Sequence, residues 1–192
     1  MNKHVIKICQ TAYFELKRFS SIRRFLTEDA TKTLVTSYIP SWLDYCNCPL
    51  MGTPNSVIRP LQKIQNFATR LILLALCHHH STPLLEKLPW LPISERIKYK
   101  VVSMCFSAIN GSGPAYLSEL LHVYTPSHTL HSSSDMLKIQ QYKRKSHMAV
   151  VLCLALDPTF GIHSHKTLDT AQPTSFKAKL KTFLFSQYFH PN

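Results

Sequence analysis

Six cysteines and eleven histidines are the side chains in this 192-residue chain best suited to hold a metal or act as nucleophiles. Their spacing decides whether they do. Cys46 and Cys48 stand two apart, His78, His79 and His80 are adjacent, and His163 and His165 again stand two apart. Structural zinc usually takes ligand pairs with wider gaps, repeated twice, so these clusters are too tight and unmatched, and no metal is expected. Most cysteines lie in apolar runs such as SMCFSAI and VVLCLAL, where a free thiol serves as a small hydrophobe. The chain holds no G-x-S-x-G nucleophile elbow and neither of the glycine-rich phosphate loops, with only four glycines in total. Two-metal polymerase or nuclease chemistry needs several carboxylates converging on two cations. Asp29, Asp44, Asp135, Asp157 and Asp169 are scattered and never adjacent. No catalytic residue and no cofactor are therefore assigned, and the chain is not expected to be an enzyme by itself.

The basic residues remain. Lys and Arg total 22 against 10 Asp and Glu, a net charge of +12. That surplus favours a polyanionic partner: RNA, DNA or their hybrid. On the segment 56–77, Arg59, Lys63 and Arg70 share a face with Asn66. On the first segment, Lys3, Lys7, Lys17 and Arg24 line up, flanked by Arg18 and Arg23. RIKYK at 96–100 sets Arg96, Lys98 and Lys100 beside Tyr99. The candidate nucleic-acid-binding residues are thus Arg59, Lys63 and Arg70, then Arg23, Arg24, Arg96, Lys98 and Lys100. Such stripes neutralise successive phosphates, with counterion release supplying the affinity. Phosphate contacts carry no base information, so binding would be indifferent to sequence. A plain solvated face is the competing reading; the one-sided sign of the charge favours binding.

These stripes need helices to exist. Val5, Ile8, Cys9, Ala12, Leu16 and Phe19 recur at three- and four-residue steps and predict a helix over 3–26. Thr27 is a natural cap for a second helix, with Glu28 and Asp29 at its positive end and Pro40 expected to stop or kink it. CNCPLMGTPN at 46–55 predicts a loop. Leu61, Ile64, Ala68, Leu71 and Ala75 form the apolar stripe of a third helix. HHHSTP breaks it, and a short turn, LLEKL, follows. Ser94 and Gly111 bracket a fourth long helix whose second half is apolar nearly all round and so most buried, and PAYLSELL follows as a short one. Residues 174–189 are helical again, with Phe176, Leu180, Phe183, Leu184 and Gln187 on one face. No strand alternation stands out. The expected fold is all-α, about five helices in an irregular bundle with a loose C-terminal third. The expected organisation is a helical region over 1–125, an irregular segment over 126–173 and an amphipathic helix over 174–192. The longest apolar run, Met148 to Leu156, is far short of the ~20 residues a bilayer span needs. Cysteines set in apolar runs and the absence of a leader-like start point to a reducing, intracellular setting, in which disulfides are not expected.

Several blocks then carry a resemblance. The run SYIPSWLDYCNCPLMGTPNSVIRPLQKIQNFATRLIL resembles the region after the catalytic palm in reverse transcriptases of non-LTR, LINE-type retrotransposons. TEDATKTLVTSYI, STPLLEKLPWLPISERIKYKVV, GPAYLSELL and FKAKLKTFLF are similar to further blocks of that region, in the same order. The resemblance covers most of 5–125 and returns at 174–185. It implies a helical thumb and C-terminal extension that hold template and growing strand, without the palm that carries the aspartates. There are departures. The family usually has Arg where Trp42 stands and His where Pro89 stands, and a block expected near 147–166 is replaced by MAVVLCLALDPTFGIHSHK. The resulting expectation is a catalytically incomplete fragment that binds RNA or DNA through basic helix faces. The alternatives are a protein-interaction module using exposed helix faces, or a translated relic without biochemical function.

Overall fold

The computed structural model describes residues 2–45, 47–119, 121–123, 137–139 and 173–190. In chain order these form α1 (Asn2–Ile22), a 3-10 turn (Arg23–Phe25), α2 (Glu28–Asp44), a second 3-10 turn (Cys48–Leu50) and α3 (Asn55–Leu73). α4 (Ser81–Lys87), α5 (Ile93–Ile109), α6 (Ala115–Ser118) and α7 (Pro173–Phe189) follow. The fold is all-α, with five long helices and two short ones among the described residues. Extended pairing among the described residues amounts to one three-residue antiparallel ladder, in which Leu121 pairs with Ile139 and Val123 with Leu137. Periodicity does not show it, because three residues are too few to alternate. The expected irregular segment 126–173 lies almost wholly outside the described residues.

The chain divides into two compact units, Met1–Ile97 with Leu184–Asn192, and Lys98–Phe183. The first unit is built on α1, α2 and α3. The predicted stripe of α1 is its core face: Val5, Ile8, Ala12, Leu16 and Phe19 are all buried. On α3, Leu61, Ile64, Ala68, Leu71 and Ile72 are buried, and on α2, Val35, Ile39 and Leu43. Burying each large apolar side chain contributes about 1.5–3 kcal/mol, so these three stripes dominate the unit's stability. Ring contacts set the order of the helices. Phe19 meets Tyr38 edge-on at 5.7 Å, His4 meets Tyr45 at 5.7 Å, and Tyr13 meets Phe67 at 5.7 Å. α2 therefore runs back along α1, as the short connection between them requires.

Local signals explain the ends. The Thr27 hydroxyl accepts from the Ala30 amide at 3.3 Å, so the predicted cap forms. Pro40 does not stop α2, which runs on to Asp44. Proline costs that helix one hydrogen bond, but Ile39 and Leu43 on either side are buried on one face, and their burial offsets the loss. α3 is shorter than its apolar pattern, ending at Leu73 rather than Cys77. Its last turn closes with the Ala75 amide on the Arg70 carbonyl at 3.1 Å and Leu74 at φ 49°, left-handed. Glycine usually holds that place; a leucine there costs about 1–2 kcal/mol. What holds the turn is Arg23, which is only 8% exposed. Its Nε donates to the Leu71 carbonyl at 3.0 Å, Nη2 to the Ile72 carbonyl at 3.1 Å and Nη1 to the Leu26 carbonyl at 2.8 Å. A cation thus occupies the negative end of α3 and satisfies carbonyls that the helix leaves without partners.

In the second unit, Val101, Val102, Cys105, Phe106 and Ala108 are buried, while Met104 is exposed, so the latter half of α5 is enclosed on most sides but not all round. Phe106 stacks on Phe176 at 3.8 Å, nearly parallel. Gly111 ends α5 at φ 67°, with the Ser112 amide on the Ser107 carbonyl at 2.9 Å and the Gly111 amide on the Ala108 carbonyl at 3.3 Å. That is the paired bonding of a Schellman cap. A Cβ on Gly113 would come within 2.9 Å of the Ala108 backbone, so the close return of the chain needs glycine there as well.

Arg23→Met is expected to lower the unfolding free energy by about 2–4 kcal/mol, because two helix-end carbonyls lose their buried donor while the methylene stem is kept. Urea denaturation followed by circular dichroism measures it. A decrease below about 1 kcal/mol would mean that Arg23 does not hold the end of α3.

Candidate nucleic-acid interface

A basic helix face binds phosphates only where its cations reach solvent, so the eight candidate residues separate by what they touch. Arg59 and Lys63 stand exposed, one turn apart on α3. No carboxylate lies anywhere on that helix. Arg24 is exposed too, its guanidinium 4.7 Å from the centre of the Phe25 ring. Arg70 is half-buried; its Nη2 donates to the His79 carbonyl at 3.1 Å and its Nε is buried without an acceptor. It tethers the turn after α3, so at most part of its charge faces outward. Lys98 and Lys100 are half-buried on α5, in the second unit.

Two candidates are corrected. Arg23 lies beneath the surface with Nε, Nη1 and Nη2 all engaged on carbonyls, which removes it from any polyanion. Arg96 is half-buried and committed to Asp44: Nε pairs with Oδ1, and Nη2 donates to Oδ2 at 2.9 Å. A bidentate guanidinium–carboxylate pair of this kind is among the stronger polar contacts a protein makes. Asp44 Oδ1 also accepts from Asn47 Nδ2 at 3.1 Å. The fork therefore ties the end of α2 and the loop after it to the start of α5.

An amide network beside it does related work. Gln62 lies on the polar stripe of α3 and reads as a surface residue, yet its Oε1 accepts from the first amide of α5, Ile93 N, at 2.9 Å. Its Nε2 donates to Gln65 Oε1 at 2.9 Å and to Asn66 Oδ1 at 2.8 Å. Gln65, 1% exposed, donates to the Leu91 carbonyl at 2.8 Å. Sequence reasoning misses Gln65, although it stands next to Ile64 and three residues before Ala68 on the inward side of the helix.

The surface opposite the core of α1, continued into the turn that follows, carries Lys3, Lys7, Lys17 and Arg24, all exposed. The one carboxylate of that helix, Glu15, is held by Arg18 at 3.3 Å. On α7, Lys177, Lys179 and Lys181 are exposed as well. Cations outnumber anions on α1, α3 and α7, so each presents an unneutralised field to solvent.

Burial pushes the Cys9 thiol above its ordinary range, which leaves it protonated and a poor nucleophile. Cys77 Sγ and His78 Nδ1 lie 3.2 Å apart on an exposed turn; activating such a thiol also takes a third group that orients the imidazole. Among the described residues, no cluster of three or more His, Cys, Asp or Glu side chains is placed to hold a metal ion; Cys46, His163 and His165 lie outside them. No helix of the described residues is long and apolar enough to cross a membrane. Compared with known proteins, the chain matches no family model, no curated protein and no solved structure.

Arg96→Gln is expected to cost about 1–3 kcal/mol of stability, because Asp44 then keeps a half-buried charge without its fork. Its affinity for nucleic acid, measured by fluorescence anisotropy below the melting range, should change less than about twofold. A large drop in affinity with unchanged stability would restore Arg96 to the binding surface.

Proposed function

We propose that this chain is a catalytically incomplete fragment similar to the post-palm region of a LINE-type reverse transcriptase, and that it binds RNA, DNA or their hybrid without regard to sequence. One observation carries the reading. The solvent faces of α1 and α3 carry exposed cations, and their single carboxylate, Glu15, is already paired. Phosphate neutralisation accounts for such faces; a solubilising surface would mix the two signs. The mechanism is electrostatic positioning. Arg59 and Lys63 contact backbone phosphates, counterions leave, and no bond is made or broken by the chain.

The resemblance gains a physical sense from the polar contacts. Asp44 and Asn47 come from the block LDYCN, Gln62, Gln65 and Asn66 from LQKIQNFATRLI, and Arg96 from PISERI. These are the residues that hydrogen-bond to one another or to the start of α5. Blocks separated by up to 52 residues thus serve a single piece of folded structure.

The test is fluorescence anisotropy with a labelled RNA–DNA primer-template at two salt concentrations, with heparin as competitor. Binding should be steeply salt-dependent and should survive heparin better than a simple polycation would. Arg59→Gln with Lys63→Gln should reduce the slope of log K against log salt by roughly 2, at about 0.9 for each phosphate no longer neutralised. Binding no better than to heparin, with a slope unmoved by the double variant, would overturn the reading.

A further inference from the structure

The outward face of α1 holds more than charge. Phe14 is 62% exposed, in the middle of the ridge formed by Lys3, Lys7 and Lys17. Folding does not explain it. The core stripe of α1, from Val5 to Phe19, lies on the opposite side, and a helix cannot turn Phe14 inward without turning Ala12 and Leu16 out. Two further rings lie close to cations. The Lys17 ammonium sits 5.4 Å from the centre of the Tyr13 ring, and the Arg24 guanidinium 4.7 Å from that of Phe25, which is 74% exposed. Exposed cations (Lys3, Lys7, Lys17, Arg24) and exposed rings (Tyr13, Phe14, Phe25) are thus interspersed along α1 and the turn that follows it. From Lys3 to Lys17 the helix is about 21 Å long at 1.5 Å per residue.

We infer that this face is a track for single-stranded nucleic acid, with Lys3, Lys7 and Lys17 on phosphates and Phe14 and Phe25 stacking on bases. The inference rests on the nucleic-acid reading above and makes it specific. Rings gain nothing from a duplex, whose bases are already stacked on one another. An unpaired strand offers a base face at each step, and such stacking tolerates any sequence. Charge interspersed with rings also argues against a membrane. Helices that lie in a lipid interface set an apolar face opposite a basic one. Here the apolar face of α1 is committed to the core of the first unit.

The experiment uses the full chain and two labelled probes, a single-stranded oligo-dT of about 15 nucleotides, within the span of such binding sites, and an RNA–DNA hybrid of the same length, with phosphatidylserine vesicles as a third arm. Phe14→Ala should weaken oligo-dT binding about 10-fold, the equivalent of roughly one stacked base, and change hybrid binding less than about twofold. Phe14→Trp should bind oligo-dT at least as well as the native chain. Lys7→Gln with Lys17→Gln should lower the salt slope on oligo-dT by about 1.4, at about 0.7 per phosphate. An unchanged melting curve for Phe14→Ala would show that the ring is not needed for folding. Native affinity of Phe14→Ala for oligo-dT, or binding to vesicles but not to oligo-dT, would overturn the inference. If hybrid binding still depends on Arg59 and Lys63 while oligo-dT binding ignores Phe14, this track alone fails. If the native chain binds neither probe, the broader reading fails with it.

Discussion

The geometry of the first unit depends on one guanidinium. α3 ends in a leucine where helices prefer glycine, and its last carbonyls would face the interior unbonded without Arg23. The arginine comes from the chain that has just left α1, so the same contact fixes where α1 stops, how the connection to α2 departs through Leu26, and where α3 must end. A lysine could not do this. It has the charge for the helix dipole, but its single nitrogen cannot reach three carbonyls in the plane that a guanidinium spans.

A second set of polar contacts fixes the first turn of α5. Its first amide is received by Gln62, the residue two before it is held by Gln65, and its first arginine is gripped by Asp44. Apolar stripes bring helices together but leave them free to slide, because hydrophobic attraction has no direction. Hydrogen bonds have direction, and a buried one left unmade costs about 1–3 kcal/mol. The amides and the ion pair therefore set the register at which α2, α3 and the first turn of α5 meet within the first unit. The buried surface supplies most of the energy that keeps them there.

This division of labour explains what can be read from the sequence. Long helices are legible because their apolar residues recur with the helical period, and the buried residues of α1 are almost the predicted ones. The end of α3 is not legible, because LILLALC continues the apolar pattern past the point where Leu74 breaks the helix. Pro40 misleads for a similar reason, since a local rule cannot know that the residues around it are pinned in a core. The hardest residues are the polar ones. Arg23 and Arg24 look alike in composition, yet one is interior and the other exposed. A signal is present: Arg23 falls four residues after Phe19 and continues the buried stripe, whereas Arg24 falls on the opposite side. Arg96 offers no such sign, because its partner Asp44 is 52 residues away.

The candidate surface is best understood as what remains once the fold has taken the cations it needs. Arg23 and Arg96 are locked into the interior framework, Arg70 is partly held by a turn, and Arg18 is neutralised by Glu15. The cations left on the outer sides of α1 and α3 stand on the faces opposite the buried stripes. A helix can keep such faces indefinitely with mixed or neutral residues, and mixing would reduce self-repulsion. Added salt acts differently on the two groups. It screens exposed charges over a Debye length of about 8–10 Å, but reaches a buried guanidinium on carbonyls far less. The fold and the charged surface are thus separable in this molecule. Its interior arginines hold the helices, and its exterior lysines and arginines set the field that a polyanion meets.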